Sequence, residues 1–158
     1  MMNLCCKVLK ALEGKTLVTA ESCTGGGIGA ALTAIPGSSE VYKGGVICYT
    51  NWMKHNLLSV PQAYLEQFGA VSAPVAEARA LGARENLQAN VAVSVTGLAG
   101  PSGDEFDNPV GTVFIGYSDS NMTLSKKYAF FGDRESVRNQ AIKSALELIL
   151  YYVKTPPL

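Results

Sequence analysis

A chain of 158 residues with 47% apolar and only 16% charged side chains can bury one full core, which excludes a disordered or low-complexity scaffold. Thirteen Lys and Arg balance thirteen Asp and Glu without clustering, so there is no basic footprint for a nucleic-acid backbone, and nucleic acid is not an expected partner. No run approaches the roughly 18 apolar residues of a membrane span, no signal-peptide pattern opens the chain, and Cys5, Cys6, Cys23 and Cys48 form no C-x-x-C pair; the expectation is a reduced, soluble, cytoplasmic protein without a zinc site or a membrane partner.

Leu4, Val8, Leu9 and Leu12 recur at helical spacing over residues 3–12, and the pattern stops at Gly14. The apolar run KTLVTA predicts a buried strand over about 15–20, and GIGAALTAI a helix ending before Pro36-Gly37. GGVICYT (44–50) predicts a second strand, NWMKHNLLSV a short helix closed by Pro61, and PQAYLEQFG another helical segment. Ser72 is placed to cap a long helix with Pro74 in its first turn, running to about Leu87. NVAVSVTG (90–97) has the composition of a central strand, and the turn-rich LAGPSGDEFDNPVG follows it. GTVFIGYS and LSKKYAFF, separated by DSNM, predict a hairpin; Asp133 can cap a last helix reaching about Tyr152. Five strands interleaved with helices predict one α/β domain over 1–158, a three-layer α/β/α arrangement with a mixed central sheet.

The segment TAESCTGGGIGAA (19–31) joins the first strand to its helix through small polar residues and four glycines. Three readings compete for it. Gly25, Gly27 and Ala30 satisfy the dinucleotide pattern G-x-G-x-x-A, but Glu40 precedes the second strand instead of closing it, where Tyr49 and Thr50 stand. A second reading is a turn that only lets strand and helix pack closely. In the third, Ser22 is a nucleophile on the strand-to-helix turn, and the amides of Thr24, Gly25 and Gly26 point out of the helix start toward a developing oxyanion.

A nucleophilic serine needs a base. The one histidine, His55, lies on a short helix beside Asn56 with no neighbouring carboxylate, and a solvated helix residue is its simpler reading. Lys54 follows Tyr49-Thr50-Asn51 in the first helical turn, where the helix dipole disfavours an ammonium and the bulky Trp52 and Met53 would exclude water. A partly neutral lysine can take a proton, with Tyr49 relaying it or orienting the hydroxyl. Spacing alone is equally met by a surface lysine and a core tyrosine.

Taken in order, TAESCTGG, GGVICYTNWMK, GAVSAPVA, VSVTGLAGPSG, NPVGTVFIG and FGDRESVRNQA, spanning residues 17 to 141, resemble the C-terminal domain of the competence/damage-inducible protein CinA and its stand-alone relatives, the nicotinamide-mononucleotide amidohydrolases. The resemblance implies deamidation of a pyridine mononucleotide, nicotinamide mononucleotide, to nicotinate mononucleotide and ammonia. It implies a serine–tyrosine–lysine set falling on Ser22, Tyr49 and Lys54, with no metal or organic cofactor. This chain has YTNWMK where the family commonly has YSNEAK, and TGLAGP for SGIAGP. A non-catalytic nucleotide-binding or regulatory member of the same family is the alternative.

With the resemblance, TGLAGPSG is expected to meet substrate through Thr96, Gly97, Ala99 and Gly100. Arg134 and Arg138 share one helix face and either bind a phosphate or pair with Asp133 and Glu135. Asp104, Glu105 and Asp107 read as solvated loop acids. The last helix, AIKSALELILYYV, is apolar around most of its circumference near its end, which predicts contact with a second subunit; the resemblance likewise implies a homodimer.

Overall fold

The computed structural model describes residues 1–155. Its elements in chain order are α1 (Met2–Ala11), β1 (Leu17–Glu21), α2 (Gly27–Thr33), a 3-10 turn (Ser38–Glu40), β2 (Tyr42–Ile47), α3 (Asn51–Leu58) and α4 (Gln62–Phe68). There follow α5 (Ala73–Asn86), β3 (Val91–Gly97), β4 (Thr112–Ser118), β5 (Thr123–Ala129) and α6 (Arg134–Lys154).

The five strands form one mixed sheet in the order β2-β1-β3-β4-β5. The first three run parallel, and β4 and β5 add as an antiparallel hairpin. Helices cover both faces, in agreement with the three-layer expectation. On one side α1, α2 and α6 enclose Leu12, Leu17, Ile28, Val93, Ile115, Leu146 and Ile149; on the other, α3, α4 and α5 pack around Val18, Ala20, Leu58, Val75, Ala83 and Ala92. Central β1 and β3 are buried almost throughout because both faces are covered, which is why they read as continuous apolar runs.

The parallel β1, β2 and β3 end on the same edge of the sheet, so the loops after them gather there. Gly82 of α5 lets α3 into that arrangement: a Cβ at this position would lie 1.7 Å from the Leu58 carbonyl oxygen. The structure refines the predicted boundaries at two places. β2 ends at Ile47, so Tyr49 lies two residues beyond it and Thr50 becomes the N-cap of α3. Ser72 does cap α5, but its hydroxyl donates to the Gly69 carbonyl at 2.8 Å instead of reaching into the helix. On α6, Leu146, Leu148 and Ile149 are buried within the chain, where the helix meets α1, α2, β3 and β4. Most of the apolar excess that predicts a subunit contact is thus used internally, leaving Tyr151 at 63% exposure.

Candidate active site

The strand-to-helix junction is organised by a residue whose role the sequence does not reveal. Glu21, the last residue of β1, is 2% exposed, and its carboxylate reaches over the start of α2. Oε1 accepts from the Thr24 hydroxyl at 2.8 Å and the Ile28 amide at 2.9 Å; Oε2 accepts from the Gly29 amide at 3.0 Å. The Ile28 and Gly29 amides, which a helix start would offer to a pyrophosphate, are therefore bonded to the chain's own anion. This removes the physical basis of the dinucleotide reading of Gly25, Gly27 and Ala30. Gly27 is small for packing: a Cβ there would come 2.4 Å from Ile142 Cδ1.

Replacing Glu21 with Gln should turn a donor toward one of these amides. Glu21→Gln is expected to lower unfolding free energy by about 1–3 kcal/mol, the cost of leaving a buried donor unpaired. Urea denaturation measures this, and an unchanged midpoint would contradict it.

The loop between β1 and α2 turns through left-handed backbone at Gly25 (φ 59°) and Gly26 (φ 94°), conformations suited to glycine. Of the three amides expected to face an oxyanion, that of Gly25 is already bonded to the Ser22 carbonyl at 2.9 Å. The sequence could not reveal this, because the bond depends on the tight turn itself. The Thr24 and Gly26 amides have no acceptor among the described residues, and neither does the Ser22 hydroxyl. Ser22 is 8% exposed.

Lys54 enters from α3. Thr50 caps that helix by accepting from the Met53 amide at 3.3 Å, which turns Lys54 and Leu58, one helical turn apart, into the interior. Lys54 is 2% exposed, and its amine, which keeps contact with solvent, makes no hydrogen bond among the described residues. Burial pushes the amine down to about 8, and the Arg79 guanidinium pushes the same way, while the Cys48 and Cys23 thiols oppose them. Cys23 follows Ser22 directly, so the junction and the Lys54 amine share one interior. Trp52 does not provide the expected seal against water: it is 67% exposed, because two positions along a helix turn a side chain to the far face. The dry surroundings of Lys54 come from α5 and the sheet.

Tyr49 is 61% exposed, and its hydroxyl accepts from Arg134 Nη2 at 3.0 Å. It is bonded to neither Ser22 nor Lys54. Arg134 Nη1 also donates to the Gly100 carbonyl at 2.6 Å, so one side chain joins the Tyr49 loop to the loop after β3. Arg138, one turn along α6, donates to the Cys23 carbonyl at 2.9 Å and the Thr24 carbonyl at 3.2 Å. The two arginines pin three segments together, and of the two readings of this pair, the one with ion pairs to Asp133 and Glu135 is not met among the described residues. Asp133 instead caps α6 by accepting from the Ser136 amide at 2.8 Å.

In the loop after β3, the Thr96 hydroxyl donates to the Ala70 carbonyl at 2.8 Å and Ala99 is buried. Gly97 leaves no room for a side chain, since a Cβ would stand 2.6 Å from Val113 Cγ2. Gly100 presents its carbonyl to Arg134, as above. Asp104 is more than a solvated acid: it accepts from the Phe106 and Asn108 amides and from the Asn108 side chain, closing its own turn. His55 lies apart from Ser22, with Nδ1 2.8 Å from the Val60 carbonyl beyond the end of α3.

Arg79 is a second residue that the sequence pattern did not single out. It is fully buried on α5, yet its signal was present: Val75, Ala76, Ala80 and Ala83 surround it at helical spacing, placing a cation in the middle of an apolar stripe.

Residues 2–153 match the CinA C-terminal domain family. A CinA-like protein of Synechococcus sp. (strain RCC307) is 46% identical over 151 residues, covering 93% of this chain and 36% of that protein. Another, from Synechococcus sp. (strain CC9311), is 57% identical over 115 residues, covering 72% of this chain and 27% of that one. The chain spans about a third of the length of the curated relatives it matches. Among solved structures, the competence/damage inducible protein CihA from Agrobacterium tumefaciens superposes with a TM-score of 0.92 at 37% identity, covering 98% of this chain and 95% of that one. A CinA superfamily protein from Klebsiella pneumoniae 700603 gives 0.93 at 32% identity, with 96% of each chain covered. In sequence, strand order and the crowding of loops at one sheet edge, this chain belongs to the CinA C-terminal domain family.

Proposed function

We propose that this chain hydrolyses the carboxamide of nicotinamide mononucleotide, giving nicotinate mononucleotide and ammonia. The observation that carries the reading is Lys54, a residue 2% exposed whose amine burial pushes down to about 8, with the Cys23 thiol of the serine-bearing junction among the groups that act on it. An amine in that state is neutral for part of the population at neutral pH, which an ordinary lysine is not.

Ser22 Oγ attacks the carboxamide carbon as its proton passes to Lys54 Nζ. The Thr24 and Gly26 amides hold the oxyanion. Collapse of the tetrahedral intermediate breaks the C–N bond, and Lys54 returns the proton to the departing nitrogen, which leaves as ammonia. Water then attacks the acyl-serine, giving its proton to Lys54, and the second collapse restores the Ser22 hydroxyl. In this reading Tyr49 and Arg134 stand at the mouth, where the Arg134 guanidinium can turn from the Tyr49 hydroxyl toward a phosphate. Arg134 also holds the loop 96–100 beside Tyr49 through the Gly100 carbonyl.

The test is ammonia release from nicotinamide mononucleotide by the purified protein. Steady release that saturates with nucleotide supports the reading. Saturable nucleotide binding with no ammonia would replace it with a non-catalytic binding module.

A further inference from the structure

We propose that Arg79 is a positioning residue for this hydrolysis, a role that rests on Lys54 being the base: it ties together the two strand ends that carry the reacting loops and sets a fixed positive charge beside the Lys54 amine.

Arg79 lies on α5 with no exposed surface, against the C-terminal halves of β1 and β3. Its Nη1 donates to the Val95 carbonyl and its Nη2 to the Ala20 carbonyl at 3.1 Å. Ala20 is two residues before Ser22, and Val95 is one residue before Thr96. One planar group therefore bridges the two chains where the β1–β3 pairing ends, at Ala20 and Ser94, and the nucleophile loop and the loop after β3 begin. Its Nε, also buried, has no partner among the described residues.

A buried guanidinium is ordinarily matched by a carboxylate. Here it is not. Arg79 forms no ion pair among the described residues, and Glu21 directs its carboxylate to α2. α3 and α5 meet where Gly82 packs against the Leu58 carbonyl, and Lys54 and Arg79 lie one turn before those residues on their helices; Cys48 from the loop after β2 and Cys23 from the junction also act on the amine. Around Arg79 stand the same two thiols and Glu21; Arg134 and Arg138 of α6 act on Cys23. Both thiols are raised by burial and so remain protonated near neutral pH. Two cationic side chains thus share an interior with no free anion. The guanidinium holds its proton far more firmly than an amine does, so the lysine is the group that gives way. That assigns a purpose to an otherwise costly buried charge: it adds to burial, the larger cause, in keeping the Lys54 amine neutral.

The experiment follows the Cε resonance of Lys54 by NMR in protein labelled with carbon-13 lysine, assigned by its loss in Lys54→Met. In Arg79→Met, whose flexible side chain fills most of the vacated space, the Lys54 midpoint should rise by about one unit, cutting the neutral fraction at pH 7 about tenfold. The acidic limb of the pH–rate profile should move with it. Arg79→Lys sets a second amine where the guanidinium held its proton, and should raise the Lys54 midpoint by less than Arg79→Met does. A folded Arg79→Met with an unmoved midpoint overturns the proposal. Should Arg79→Met not fold, Arg79→Gln, which removes the charge and keeps amide donors, decides: a raised midpoint supports the charge role, and a parental midpoint overturns it. The resonance is read without substrate, so inertness toward nicotinamide mononucleotide would defeat the proposed function while the Lys54 midpoint still decides the role of Arg79.

Discussion

Ser22→Ala is expected to lower ammonia release from nicotinamide mononucleotide by at least ~10³-fold, with the fold intact. The two halves of this expectation have different causes. Turnover falls because no other group at the junction can form the acyl intermediate. Cys23 is adjacent, but burial raises its thiol, so little thiolate is present to substitute. The fold survives because the Ser22 hydroxyl bonds to nothing among the described residues, so its removal leaves no orphaned partner. Its stability cost should stay within about 0.5 kcal/mol. Single-turnover assays beside thermal melts separate the two effects. A mutant releasing ammonia at the parental rate would move the nucleophile elsewhere.

Lys54 should produce the second large effect, and a pH dependence with a definite sign. With the folded amine at about 8, the neutral base grows tenfold per unit of pH below that value, and kcat should climb along one ionisation and level above it. Lys54→Arg and Lys54→Met should both lose at least ~10³-fold, because guanidinium does not give up its proton and a thioether accepts none. His55→Ala should keep most activity, since that ring only bonds the Val60 carbonyl. An active Lys54→Arg together with a dead His55→Ala would transfer the chemistry to histidine. Stability should vary oppositely to the usual case of a lysine gaining a partner. The unfolded lysine binds its proton up to its ordinary value of 10.5 and the folded one only up to about 8, so stability rises with pH between them. Below that window the penalty is full and on the order of 3 kcal/mol. Lys54→Met should therefore be more stable than the parent at pH 7 by a comparable amount.

Elements whose fate is decided locally are legible in the sequence. β3 is buried on both faces and reads as VAVSVTG; α6 announces itself through Asp133 and a long apolar repeat. The serine and lysine stand out because a strand-to-helix turn and a helix start constrain chemistry before packing is known. What the sequence conceals depends on contacts between distant segments. Its local pattern puts Tyr49 at the end of a strand and in the proton path, whereas the hydroxyl meets Arg134, 85 positions away. Glu21 looks like any acid at a strand end until α2 folds back over it. Trp52 reads as a shield because it is close in sequence, and helical rotation turns it to solvent.

The sheet order places Ser22 and Lys54 in units of unequal local stability. Ser22 follows β1, which is hydrogen-bonded on both sides, by β2 and β3. Lys54 follows β2, which is bonded on one side only, and rides on an eight-residue helix. Edge strands and short helices open at lower free energy than a sheet interior, so amide exchange should be faster from Tyr42 to Leu58 than along β1 or β3. Each such opening returns the lysine amine to water, where it regains its proton and can no longer serve as a base. Inactivation by mild heat or urea should then precede any loss of sheet structure. The proposed Ser22–Lys54 pair would fail at its edge before its centre.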